Sequence, residues 1–79
     1  MRITVRLFGV LPRYVPGYNY ADGIAVEVQE GTTYQRLSAL LRLPECEVGF
    51  FSVGGIIKKA DDVVSGGEEV SIFMHLGGG

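Results

Sequence analysis

Apolar and polar residues alternate in three stretches of the chain, over residues 2–8, 24–29 and 69–76. A period of two is typical of a strand with one buried face. The apolar positions are Ile3, Val5 and Leu7, then Ile24, Val26 and Val28, and finally Val70, Ile72, Met74 and Leu76. The pattern predicts three strands, of which the first two are expected to pair antiparallel.

After the second strand the apolar period changes to that of a helix. Thr32 and Gln35 have the spacing of a capping box, with Thr32 as the N-cap. The apolar residues that follow at helical spacing are Tyr34, Leu37, Leu40 and Leu41. We expect a helix over residues 33–42 that Pro44 ends, because the residue before a proline is disfavoured in the helical conformation. Its apolar stripe predicts packing across one face of the sheet.

Residues 48–53 predict a further strand. Its register stays open, because Phe50 and Phe51 occupy both parities. The two glycines at 54–55 predict a hairpin turn into a short strand at residues 56–57.

A long connection, residues 9–23, joins the first two strands and contains Tyr14, Tyr18 and Tyr20. Pro16 and Gly17 predict a turn within it. We expect the tyrosine rings to cover the open end of a small core, with their hydroxyls in water. Lining a binding surface is the alternative.

The order strand, strand, helix, strand, short strand, strand predicts an α+β fold. We expect a mixed sheet of four to five strands packed against one main helix, with the first and last strands parallel and central. The predicted domain covers residues 1–76, and we expect residues 77–79 to form a flexible C-terminal glycine tail.

The composition of the chain excludes several classes of protein. With 79 residues, 47% apolar and 20% charged, the chain has the balance of one soluble globular domain. The formal net charge of −2 argues against nucleic acid as a partner, because phosphate binding needs a basic surface. No apolar run approaches the roughly 20 residues of a membrane span. The single cysteine, Cys46, predicts no internal disulfide, so we expect a cytoplasmic protein.

Three glycines, Gly77, Gly78 and Gly79, follow directly on the last predicted strand. Lacking Cβ atoms, they adopt conformations closed to other residues, and when extended they span roughly 10 Å. A narrow active site on a partner protein could enclose such a segment and act on the Gly79 carboxylate. A harmless linker is the alternative.

The face of the last strand that points away from the core carries the candidate docking residues. Phe73 is the first candidate, because an exposed aromatic near the tail can anchor a partner. Phe8 is a weaker candidate, His75 shares the parity of Phe73, and Leu76 either packs at the sheet edge or enters a partner pocket. The alternative for Phe73 is cover by residues 9–23, and for His75 an ordinary place at a strand end. A lone histidine predicts no metal site, and no catalytic constellation is recognisable in the sequence.

The chain resembles the ubiquitin-like β-grasp family and, within it, the bacterial sulfur carriers: the small subunit of molybdopterin synthase and the thiamin-pathway carrier. The segments that carry the resemblance are Arg2-Ile3-Thr4-Val5, Val28-Gln29-Glu30-Gly31-Thr32-Thr33, Ser52-Val53-Gly54-Gly55, Val64-Ser65-Gly66-Gly67-Glu68-Glu69-Val70 and the terminal glycines. Gly54 stands where the family commonly has asparagine, Glu68 where it has aspartate, and the family tail usually has two glycines. The length of residues 9–23 is more like the molybdopterin-type subunit.

The resemblance implies a carrier protein rather than an enzyme, with no bound cofactor. An E1-like adenylating enzyme, using ATP and magnesium, would convert the Gly79 carboxylate to an acyl-adenylate. A sulfur atom would then displace AMP and leave a thiocarboxylate. The sulfur would pass to a synthase for cofactor biosynthesis, either the large subunit of molybdopterin synthase, which is favoured, or an enzyme of the thiazole synthase type.

Two alternatives stay open at this point. A ubiquitin-like protein modifier would use the same activated terminus to form isopeptide bonds to lysines. A non-catalytic β-grasp subunit or adaptor of a larger complex would tolerate the removal of residues 77–79.

Overall fold

The computed structural model describes residues 1–75. In chain order these residues form strand β1 (Arg2–Leu7), a 3-10 turn (Leu11–Tyr14), strand β2 (Ile24–Glu27), helix α1 (Tyr34–Leu40), a second 3-10 turn (Glu45–Glu47) and strands β3 (Val48–Val53), β4 (Ile56–Lys58) and β5 (Glu69–Met74). Leu76 and the glycines Gly77, Gly78 and Gly79 lie outside the described residues, so what the sequence predicts for them stays a prediction.

The five strands of residues 1–75 form one mixed sheet in the order β2-β1-β5-β3-β4. Strand β1 pairs antiparallel with β2 and parallel with β5. Strand β3 pairs antiparallel with both β5 and β4. The predicted α+β architecture is therefore confirmed, including the parallel pairing of the first and last strands at the centre of the sheet.

The core lies between the sheet and α1. Its buried apolar residues are Ile3, Val5, Leu7, Leu11, Val28, Tyr34, Leu37, Leu43, Phe51, Val64, Val70 and Ile72. Burying a large side chain of this kind contributes roughly 1.5–3 kcal/mol. The predicted parities of β1 and β5 are confirmed, and β3 directs Phe51 into the core.

Helix α1 begins one residue later than a Thr32 cap would give. Thr33 is the N-cap, with extended backbone angles, and its hydroxyl oxygen accepts a hydrogen bond from the Arg36 amide at 3.1 Å. The Thr32 hydroxyl instead donates to the Gln29 carbonyl at 2.6 Å. The prediction of Thr32 as N-cap was wrong, because the preceding turn already engages that hydroxyl.

The helix ends at Leu40 rather than near Arg42, and Pro44 is not the cause. Arg42 adopts the left-handed conformation with φ of 61°, and the Leu43 amide donates to the Ser38 carbonyl at 3.1 Å. This is the hydrogen-bond pattern of a Schellman motif, with the buried Leu43 as its apolar contact.

The buried stripe of α1 is also rotated from the predicted one. Ser38 is 7% exposed, whereas Leu40 is 48% exposed. The Ser38 hydroxyl is compatible with burial because it donates to the Gln35 carbonyl at 2.8 Å. Leu40 was therefore wrongly assigned to the core.

The connection over residues 9–23 contributes to the core as well as covering it. Leu11 is fully buried, and the rings of Tyr14 and Tyr18 pack against the core. The Tyr18 hydroxyl accepts a hydrogen bond from the Leu7 amide at 2.8 Å, so the prediction that it lies in water was wrong. Tyr20 is 77% exposed and contacts Tyr18 edge to face.

A buried tyrosine links α1 to the turn before β5. The Tyr34 hydroxyl donates to the Glu68 carboxylate at 2.8 Å, and the same carboxylate oxygen accepts from the Ser65 amide at 3.0 Å. Burial, reinforced by the neighbouring Glu68 carboxylate, raises the pKa of the Tyr34 hydroxyl well above its ordinary value. The proton therefore stays on Tyr34, and the helix is fixed relative to the start of β5.

In residues 1–75 we find no helix of sufficient length and hydropathy to traverse a bilayer.

We predict that Tyr34→Phe lowers the free energy of unfolding by about 1–2 kcal/mol, because the ring stays buried while its hydrogen bond to Glu68 is lost. Urea denaturation at neutral pH measures the change. The deficit should shrink above about pH 10, where an unfolded tyrosine ionises and folding of the wild-type chain requires its reprotonation. Tyr20→Phe, at an exposed hydroxyl, is the control and should unfold like the wild type. Equal stability of the Tyr34→Phe variant would contradict the assigned role of this bond.

Candidate functional site

Three aromatic rings stack side by side on the sheet face that points away from α1. Phe73 lies in the middle, with its ring centroid 4.6 Å from that of Phe8 and 4.6 Å from that of Phe50. The ring planes are nearly parallel, at 9° and 13°. Parallel rings at this separation are offset-stacked, which is a favoured arrangement of aromatic pairs. We call Phe8, Phe50 and Phe73 the phenylalanine ladder.

Strand pairing brings the three rings together from distant parts of the chain. The Phe8 amide continues the parallel pairing of β1 with β5 by donating to the Ile72 carbonyl at 3.1 Å. On the other side of β5, Phe50 is the direct cross-strand partner of Phe73. Phe8, directly after β1, therefore lies beside Phe73 of β5 and Phe50 of β3 at the end of the sheet where β5 finishes.

A β-bulge in β3 sets the direction of the Phe50 side chain. Val48 faces Met74 and Phe50 faces Phe73, so Gly49 is an extra residue with no partner on β5. The extra residue reverses the alternation of side chains. Val48 packs against the core, whereas Phe50 joins the outer face.

The ladder borders an apolar groove of about 230 Å³ that Gly9 and Met74 also line. Phe8 is 40% exposed, and Phe50 and Phe73 are half-buried. Clustered aromatic side chains at the surface are typical of the centre of a protein interface. The ladder supplies hydrocarbon surface and no proton donor or acceptor, so it is suited to binding rather than to chemistry.

Two ion pairs lie on the same sheet face as the ladder. Arg2 contacts the Glu27 carboxylate at 3.0 Å, and Arg6 contacts the Glu69 carboxylate at 3.2 Å. Such solvent-exposed pairs contribute little to stability. They give this face a polar region beside the apolar ladder, and polar residues are usual at the rim of an interface.

The candidate residues predicted from sequence divide into three groups. Phe73 and Phe8 lie on the outer face and stack on each other. His75 is exposed, and its backbone amide donates to the Glu47 carbonyl at 2.8 Å. Leu76 and Gly77–Gly79 belong to the part of the chain that is not described.

Phe50 is the member of the ladder that sequence reasoning missed. The sequence pattern leaves its parity open, because a simple alternation does not distinguish Phe50 from Phe51. The available signal was Gly49, since a glycine inside a strand often marks a bulge.

Among residues 1–75, no group of histidine, cysteine, aspartate or glutamate side chains is placed to hold a metal ion. Cys46 is exposed and unpaired within this part of the chain.

Comparison with known proteins defines the fold. No protein-family model matches the sequence, and no curated protein matches it either. The chain is similar in structure to a solved protein described as SAMP1 from Haloferax volcanii, with 17% sequence identity, 100% of both chains covered and a TM-score of 0.68. The likeness shows the fold: this chain is a ubiquitin-like β-grasp, in which residues 1–75 form a five-stranded mixed sheet and one α-helix.

Proposed function

We propose that this chain is a sulfur-carrier protein. In this proposal an E1-like enzyme activates the Gly79 carboxylate, and the resulting thiocarboxylate donates sulfur in cofactor biosynthesis. The observation that carries the proposal is the phenylalanine ladder on a β-grasp fold, at the end of the sheet where β5 leads in sequence to the glycines. The ladder gives a partner a surface to bind, and the glycines give it a group to modify.

The distance along the chain from the ladder to Gly79 is suitable for a partner that binds one and modifies the other. From Phe73 to Gly79 the chain advances six residues, which reach at most about 20 Å when extended. A partner bound at the ladder could therefore hold an active site at that distance and receive the Gly79 carboxylate. Glycines favour this, because an active site can close around a backbone that carries no side chains.

The first chemical step makes the carboxylate a good electrophile. A Gly79 carboxylate oxygen attacks the α-phosphorus of ATP, the bond from that phosphorus to the bridging oxygen breaks, and pyrophosphate leaves. Magnesium on the activating enzyme neutralises the phosphate charge. The product is an acyl-adenylate in which AMP is the leaving group, so the carrier itself needs no acid, base or metal.

The second step introduces sulfur. If the donor is sulfide, its sulfur attacks the acyl carbon, AMP leaves, and loss of a proton gives the thiocarboxylate. If the donor is a persulfide, its outer sulfur forms an acyl disulfide with loss of AMP. A thiol must then cleave the sulfur–sulfur bond to release the thiocarboxylate and is itself oxidised to a disulfide.

A carrier of this kind is recognised by two partners in turn, the activating enzyme and the sulfur-accepting synthase. We propose that both partners bind at the phenylalanine ladder. Among the described residues, it is the apolar surface nearest the end of β5. We favour a synthase of the molybdopterin type over one of the thiazole type, because the length of residues 9–23 is more like that of the molybdopterin-type subunit.

We predict that the chain stimulates ATP–pyrophosphate exchange by a matching E1-like enzyme, and that deletion of Gly78 and Gly79 abolishes the stimulation. The deletion leaves residues 1–75 intact but moves the terminal carboxylate back to Gly77, so it falls about 7 Å short of the site that activates Gly79. The enzyme's own carrier serves as the positive control, and circular dichroism verifies that the shortened chain is folded. Equal exchange with and without the two glycines would contradict activation at Gly79.

We predict that Phe73→Ala weakens binding to the activating enzyme by about 30-fold, the loss expected when a central aromatic anchor worth about 2 kcal/mol is truncated. Isothermal titration calorimetry measures the affinity. Ile57→Ala is the matched control, since Ile57 is an apolar residue of β4 that is 68% exposed and lies outside the ladder. Equal losses in the two variants would remove the ladder from the interface.

A further inference from the structure

A second cleft lies on the other face of β3, between that strand and α1. Its volume is about 280 Å³. Its floor is apolar and includes Val48 and Phe51, which pack in or against the core. Pockets for drug-sized molecules usually measure roughly 300–1,000 Å³, so this cleft suits a group about as large as one side chain. We call it the helix-side cleft.

Small side chains leave the helix-side cleft open. Ser38, Gly49 and Ala60 all line it. Residue 49 carries no side chain that could fill the space, because a Cβ atom there would lie 2.6 Å from the Met74 carbonyl oxygen. The wall at Ala60 is held in place, because the Ala60 carbonyl accepts a hydrogen bond from the Gln35 amide at 2.9 Å. The cleft is therefore bounded by backbone that strand pairing and hydrogen bonds fix.

The polar groups of the cleft are mainly hydrogen-bond acceptors. Ser38 is 7% exposed, and its hydroxyl donates to the Gln35 carbonyl at 2.8 Å. The hydroxyl has no second proton, so any further hydrogen bond must be accepted by its oxygen. The Glu45 carboxylate, on an exposed residue at the mouth of the cleft, also only accepts. The Gln35 side chain supplies one more acceptor oxygen. The cleft therefore favours a ligand rich in N–H donors.

The charge of Glu45 has no partner among the described side chains. The ion pairs of residues 1–75 involve Glu27 and Glu69, and Glu45 takes part in none of them. Lys58 faces Phe51 across the pairing of β3 with β4, but its side chain does not line the cleft. A cation from outside the chain would therefore complement the cleft.

Arginine is the side chain whose chemistry fits the helix-side cleft best. Its methylene groups can lie on the apolar floor while the guanidinium stays at the polar mouth. The guanidinium carries five N–H donors, which matches a site made of acceptors. It is also less strongly hydrated than the ammonium group of lysine, so a half-enclosed site receives it at a lower desolvation cost.

The helix-side cleft and the phenylalanine ladder lie on the two faces of β3. Gly49 lines the cleft, and Phe50, the next residue, belongs to the ladder. A protein that binds the ladder and extends around this end of β3 therefore reaches both. We infer that the helix-side cleft receives an arginine side chain of the protein that binds the ladder. The identity of that protein as the activating enzyme rests on the proposed function, whereas the chemistry of the cleft does not.

The direct test titrates the isotope-labelled full chain with N-acetyl-arginine methylamide, whose only charge is its guanidinium, and follows the backbone amides by NMR. We expect saturable shifts around the cleft, at Ser38, Gly49 and Ala60 among others. Half-saturation should lie at roughly 1–10 mM, because so small a ligand forms few contacts. N-acetyl-citrulline methylamide, a neutral analogue of similar shape, should bind at least about fivefold more weakly. Equal binding of the two probes, or no localised shifts, would overturn the inference.

Two variants separate a site from general attraction to negative charge. Glu45→Gln removes the charge at nearly constant shape, and Ala60→Leu keeps the charge but narrows the cleft. Each should weaken binding of the arginine probe by at least about fivefold. Glu30→Gln is the matched control, because Glu30 is an exposed carboxylate outside the cleft. Both cleft substitutions are at exposed positions, and circular dichroism verifies folding. Wild-type affinity for the probe in a folded cleft variant would overturn the inference.

Calorimetric titration with a competent E1-like enzyme tests whether the partner uses the cleft. We expect Glu45→Gln to weaken binding by about tenfold, the loss typical of a charged hydrogen bond, and Glu30→Gln to stay within about twofold of the wild type. Unchanged binding of Glu45→Gln would overturn the inference. A wild-type chain that binds the arginine probe but not the enzyme would contradict the proposed function and not the chemistry of the cleft.

Discussion

The parallel pairing of β1 with β5 is the interaction on which the rest of the structure depends. Its register, from Thr4 opposite Glu69 to Leu7 opposite Ile72, buries the apolar side of both strands beneath α1. The opposite side of the same pairing places Phe8 beside Phe73. Because side chains alternate along a strand, the pairing that builds the core also builds the surface proposed to bind partners.

The bulge at Gly49 adapts β3 to that central pair. An unbroken alternation would give Val48 and Phe50 the same face, whereas the extra residue sends Val48 to the core and Phe50 to the ladder. Natural sheets frequently use bulges in this way to redirect a side chain near a functional site. Here the redirected ring completes the stack, and the backbone of the bulge reaches the residues that precede the glycines.

Alternation along the chain was enough to predict the strands, their central parallel pairing and the outward direction of Phe73, because each depends on a local pattern with one buried face. Phe50 escaped prediction because a bulge changes the phase of the alternation without changing the composition. The early end of α1 depends on the left-handed conformation of Arg42, which is uncommon for a residue other than glycine. The Tyr18 hydroxyl bonds to the Leu7 amide, a long-range contact that no local pattern encodes.

The most direct test of the carrier function is the intact mass of the protein after incubation with a competent E1-like enzyme, ATP, magnesium and a sulfur donor. A carrier whose Gly79 carboxylate becomes a thiocarboxylate must gain the mass difference between sulfur and oxygen, once per chain. An unchanged mass, while the enzyme's own carrier is converted in the same mixture, would contradict sulfur transfer. The β-grasp would then be better explained as a subunit that binds through its phenylalanine ladder without being modified.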